Sequence, residues 1–160
     1  MRNSNNKIMI LLGLMVYFPP ALLRAQTTDL STNQTNVDMN SFISIFEIPA
    51  TDVPRAIDFY QEILSISIEH MEFPGLEMGL LPYEGQMVTG VIMKGDDSKP
   101  STEGVTVYLN GGEDLQVILD KVEGNGGEII VPKTPHADEV GFFALFLDSE
   151  GNKMGLHSPN

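Results

Sequence analysis

The sequence predicts an α+β domain made of two βαβββ modules, spanning residues 41–94 and 104–158, that form a curved mixed sheet with a concave ligand cup. Three observations carry this reading. One extended stretch leads into an amphipathic helix and three short strands. After a polar connector the same succession restarts. The two copies stand roughly 60 residues apart, a repeat length that points to duplicated architecture.

The elements follow in order. Ser41 to Ile48 is extended and Pro49 ends it. Thr51 to Leu64 reads as a helix: Pro54 sits in the first turn, where its missing N–H is tolerated, and Ala56, Ile57, Tyr60, Ile63 and Leu64 recur at helical spacing. Strands are expected over 65–71, 76–82 and 86–93, separated by Pro74-Gly75 and Pro82-Tyr83-Glu84-Gly85. The polar segment 94–103 connects the halves. Gly104 to Asn110 then alternates, with Val105, Val107 and Leu109 on one side and Thr106, Tyr108 and Asn110 on the other. A helix is predicted from Glu113 to Glu123 on the stripe Leu115, Ile118, Leu119, Val122. Strands follow over 128–131, 141–148 and 153–158, with Asp148-Ser149-Glu150-Gly151-Asn152 as a hairpin turn.

The segment ahead of this domain has a different character. Arg2 and Lys7 precede an apolar run from Ile8 to Phe18, and Leu23-Arg24-Ala25 places a small residue before Gln26. That order predicts a signal peptide over 1–25, a polar linker over 26–40, and a periplasmic or secreted protein. Beyond residue 25, six Lys and Arg stand against all 22 Asp and Glu. So acidic a chain repels phosphate backbones and anionic lipid, which argues against nucleic acid and, once the signal is cleaved, against membrane surfaces as partners. The sequence holds no Cys, so neither disulfides nor a thiolate nucleophile enter.

Several segments carry a family likeness. Ile45-Phe46-Glu47-Ile48-Pro49-Ala50-Thr51-Asp52, with Arg55-Ala56 and Phe59-Tyr60, resembles the opening of glyoxalase-like proteins of the vicinal oxygen chelate superfamily. Tyr108-Leu109-Asn110, Val131-Pro132-Lys133-Thr134 and the run from Gly141 through Asn152 to Gly155-Leu156-His157-Ser158 are similar to a bacterial subgroup of it. The resemblance implies two modules around a cup, a small-molecule ligand and a homodimer. In active members it implies a divalent metal held by His and Glu from the first and last strands of each half. The positions matching three of those ligands are Ile45, Thr106 and Gly155, and the fourth falls within 86–94, where no His, Asp or Glu occurs. Such sites need oxygen or nitrogen donors. No cofactor is therefore expected, with a divalent metal as the alternative.

Residues two apart on a strand share a face, so Glu47, Tyr108 and His157 should line the cup beside Ile45, Thr106 and Gly155. Met93 contributes an adaptable apolar surface. Glu47, Met93, Tyr108 and His157 are thus the candidate ligand-binding residues. Glu47 and His157 are the candidate acid–base pair if the protein is an enzyme. His70 reads as a strand-edge residue and His136 as part of a connector that could cover the cup. The function expected is an exported small-molecule binding protein without the family metal. The alternatives are a lyase or isomerase using Glu47 and His157 or an undetected metal, and a non-catalytic accessory protein.

Overall fold

The computed structural model describes residues 41–137 and 140–160. The predicted signal peptide and linker, 1–25 and 26–40, lie outside the described residues.

The N-terminal half runs β1 (Ile45–Pro49), α1 (Val53–Leu64), β2 (Glu69–Phe73), β3 (Leu76–Leu80) and β4 (Thr89–Lys94). The C-terminal half runs β5 (Tyr108–Asn110), α2 (Gln116–Val122), a 3-10 turn (Glu123–Asn125), β6 (Glu128–Pro135), β7 (Phe142–Leu147) and β8 (Lys153–Ser158). Each half forms a four-stranded sheet, ordered β1-β4-β3-β2 and β5-β8-β7-β6. In both, the first strand lies parallel to the last and the other pairs are antiparallel. This is the duplicated α+β architecture the repeat predicts.

Helix α1 starts on Asp52, whose carboxylate accepts from Arg55 N, and ends on Ser65 in the left-handed conformation. It buries Val53, Ala56, Ile57, Phe59, Tyr60 and Ile63. Ile57 fills the space over Gly79 of β3, where a Cβ would stand 2.8 Å from Ile57 Cγ1. Phe59 reaches the second half, 6.2 Å centroid to centroid from Phe146 of β7. The two halves therefore share one core, completed by Ile48, Ile92, Leu115, Leu119, Ala144 and Leu156. Full burial of each large apolar side chain is worth about 1.5–3 kcal/mol.

A polar hub ties the halves together at the β7–β8 turn. Asp148 is buried and accepts from Tyr60 Oη at 2.7 Å, from Asn152 Nδ2 at 2.9 Å, and from the N–H groups of Glu150 and Asn152. Asn152 Nδ2 also donates to Pro49 O at the end of β1. Burial, followed by the neighbouring Asp148 carboxylate, pushes the Tyr60 hydroxyl well above its ordinary pKa.

Five elements differ from the sequence reading, two of them by a shift alone: β2, expected over 65–71, runs over Glu69–Phe73, and β4, expected over 86–93, runs over Thr89–Lys94. The alternating stretch 104–110 forms a strand only over Tyr108–Asn110: Gly155 N donates to Val107 O and Lys153 N to Ser101 O, so the chain between loops out, with Gly104 at φ 99° and Val105 in solvent. Thr106 thus lies ahead of β5. Helix α2 begins at Gln116 rather than Glu113, and Leu115 at its head is fully buried. Strand β6 continues past 131 to Pro135, with register shifts between Ile129 and Val131 and between Val131 and Thr134. Pro132 lacks the N–H for a regular ladder, so this edge strand bulges rather than ends.

Candidate functional site

Each sheet has one face on the helices and one face open. The helix-side positions are buried: Ile48 and Ile92 in the first sheet, Leu109, Ala144, Phe146, Met154 and Leu156 in the second. Their alternates define the open faces. In the first sheet Ile45, Glu47, Met78, Leu80, Val91 and Met93 share that face by register. In the second sheet Tyr108, Gly155, His157, Phe143 and Leu145 do.

The candidate residues divide between these faces. Glu47 pairs with Val91, and Pro49 with Met93, so Glu47 and Met93 lie together on the first sheet. Tyr108 pairs with Gly155 and Asn110 with His157, which puts Tyr108 and His157 together on the second. Among the described residues no ion pair or side-chain hydrogen bond joins Glu47 to His157.

The open faces are apolar and accessible. Ile45 is 59% exposed and Tyr108 48%. The Tyr108 ring lies flat over Gly155: a Cβ built there would stand 2.4 Å from Tyr108 Cδ1. The absence of a side chain at 155 is thus what lets the phenol lie against the sheet.

His136, expected in a connector that could cover the cup, is the next member of this face. Strand β6 closes on β7 through His136 N donating to Gly141 O, with Gly141 at φ 83°. With Thr134 opposite Phe143, His136 opposite Gly141 falls on the face that carries Phe143 and His157. Its ring sits 5.0 Å from Phe143 and 5.2 Å from His157, both tilted contacts. His136 Nε2 is buried with no hydrogen-bond partner. A buried imidazole nitrogen without a partner costs about 1–3 kcal/mol until something bonds to it. His136 therefore shares the open face with Phe143 and His157 rather than standing in a solvated connector. The extension of the β6 ladder through the Pro132 bulge was the missing signal.

The metal positions of the resemblance can be tested on the same faces. Ile45 carries no donor atom. Thr106 lies outside the strand, and the Tyr108 ring occupies the space a side chain at 155 would need. On β4 the open-face positions are Thr89, Val91 and Met93. These residues do not fit a His- and Glu-held divalent ion. Among the described residues, three metal-capable side chains converge in one place, His70, Glu72 and Glu77, on the other face of the first sheet.

The most polar cluster near α1 is structural. The Glu150 side chain is fully shielded and accepts from Thr51 N (2.7 Å), Thr51 Oγ1 (2.8 Å), Asp52 N (3.1 Å) and Arg55 Nε (2.7 Å). Burial raises its pKa, but the bonds from Arg55, Thr51 and Asp52 outweigh that and hold it below the ordinary carboxylate value. Glu150 thereby clamps the N-terminus of α1 to the turn that leads into β8.

Comparison with known proteins places this architecture. Residues 42–156 match the family model of the Glyoxalase/Bleomycin resistance protein/Dioxygenase superfamily. A glyoxylase-like domain-containing protein from Didymella fabae is 31% identical over 119 residues, covering 71% of this chain and 91% of its own. TnmS3, an antibiotic-binding protein from Streptomyces sp. CB03234, superposes with a TM-score of 0.57 at 20% identity, over 75% of this chain and 97% of its own. The fosfomycin resistance protein FosX from Listeria monocytogenes does so with a TM-score of 0.53 at 19% identity, over 74% and 90%. At these identities the two structures speak for the fold.

Proposed function

The chain belongs to the glyoxalase/bleomycin resistance protein/dioxygenase superfamily, and on that premise we propose that it is an exported small-molecule binding protein that works without the family metal. The observation that carries this is His136 Nε2, buried without a partner on an open apolar face and flanked by Phe143 and His157. A partly apolar, planar molecule of drug size fits such a surface: Phe143, the two imidazoles and Tyr108 supply ring contact, and Nε2 supplies the orienting hydrogen bond. Similarity to an antibiotic-binding and an antibiotic-resistance protein supports the ligand class. The N-terminal charged and apolar pattern supports export.

A homodimer completes the reading. Ile45 and Tyr108 leave large apolar surface in water on the two open faces, and a second copy laid against them would turn open faces into a closed cup holding Glu47 and Met93 with Tyr108 and His157. The test is thermal-shift screening of the purified full chain against aromatic antibiotics, beside His136→Ala and His157→Ala. Stabilisation of the wild type that both variants lose is expected. A panel that stabilises all three proteins equally, or catalytic turnover dependent on Glu47 and His157, overturns the proposal.

A further inference from the structure

We propose a divalent-metal site, suited to zinc, on the helix-side face of the N-terminal sheet, held by His70, Glu72 and Glu77. The residues come from one hairpin. His70 and Glu72 are two apart on β2 and share a face, and Glu77 of β3 stands directly opposite Glu72. His70 pairs with Gly79, which faces Ile57 of α1, so the cluster lies on the side of the sheet away from His136 and His157.

Two observations point to a cation there. First, the donor atoms already converge. His70 Nε2 is 3.1 Å from Glu77 Oε1 and 3.9 Å from Glu72 Oε1, and all three lie within 4.8 Å of one another. Ligands each about 2.0–2.2 Å from a zinc ion sit roughly 3–3.6 Å apart, so small rotations of exposed side chains close the set. Second, Glu72 and Glu77 form a like-charge pair directly across an edge hairpin, an arrangement that destabilises a sheet unless a positive charge lies between. Lys94 meets this only in part: its Nζ is 3.8 Å from Glu77 Oε2, while Oε1 meets His70 Nε2 at 3.1 Å, a contact that an ion bound between the two would replace. One imidazole and two carboxylates suit zinc and its neighbours in the first transition row. An open groove of about 500 Å³, lined by Glu72, Glu77, Lys94 and Asp96, adjoins the cluster and leaves room for water or a further ligand on the metal.

The experiment is isothermal titration of zinc chloride into the full chain after chelator treatment, with His70→Ala, Glu77→Gln and His157→Ala alongside. One equivalent should bind to the wild type and to His157→Ala, and the isotherm should be lost in His70→Ala and Glu77→Gln. Circular dichroism of the variants confirms that the exposed substitutions leave the fold intact. Absence of one-to-one binding by the wild type, or its loss in His157→Ala with retention in His70→Ala, overturns the site.

Discussion

Replacing Glu150 with Ala tests whether the β7–β8 turn clamps helix α1. Four hydrogen bonds end on this one carboxylate, from Thr51 N, Thr51 Oγ1, Asp52 N and Arg55 Nε. A hydrogen bond to a charged group contributes about 1.5–3 kcal/mol. A carboxylate at a helix N-terminus adds about 0.3–1 kcal/mol. The sum is not simply additive. Thr51 and Asp52 are exposed, so their freed N–H groups turn to water, and the Arg55 side chain is half in solvent and screened. The net loss is then about 2–4 kcal/mol, roughly a 6–15 °C fall in Tm for a domain of this size. Glu150→Gln keeps acceptor capacity but not the charge and should lose about half as much. Because the folded pKa lies below the ordinary value of 4.5, the contribution is fully present above that value. It disappears as pH falls through the lower folded value, so wild type and Glu150→Ala should converge in acid. Urea unfolding at neutral and acid pH reads both effects. A variant within about 0.5 kcal/mol of wild type at neutral pH would refute the clamp.

Other perturbations separate the hub from the site. Tyr60→Phe removes the Asp148 hydrogen bond inside the shared core and should cost about 1–3 kcal/mol in urea unfolding, whereas Asp148→Ala, which strands several donors at once, should cost about 3–5 kcal/mol. Gly155→Ala sets a Cβ against the Tyr108 ring and should cost about 1–2 kcal/mol, most of it recovered in the double variant with Tyr108→Ala. His157→Ala removes a ring contact on an open face and should change stability by less than about 0.5 kcal/mol while weakening ligand binding, read by thermal shift with and without ligand.

The fold was legible because its signals are local. The Pro54 start, the α1 stripe, the turns at Pro74-Gly75 and Asp148–Asn152, and the restart after the connector all rest on periodicity and turn chemistry. Strand β8 runs over the predicted residues 153–158. The failures fall where a partner strand decides. The 104–110 alternation shortened because successive β8 donors bond Val107 O and Ser101 O, so residues 102–106 loop out of the ladder, and β6 lengthened because β7 carries the ladder past Pro132. The face assignments of Glu47, Tyr108 and His157 followed from period-two alternation. Alternation cannot give how far an edge ladder runs: the sequence places His136 in a connector that could cover the cup, and the structure carries the β6 ladder on to it. Asp148 and Glu150 read as turn residues, because their bonds reach 88 to 99 residues along the chain.

The most direct test of the central claim is native mass spectrometry of the protein purified from its own source, beside His136→Ala produced in the same way. The account predicts a retained adduct of a single defined mass on the wild type and its loss from the variant. A bare wild-type mass, or the same adduct on both proteins, would contradict it.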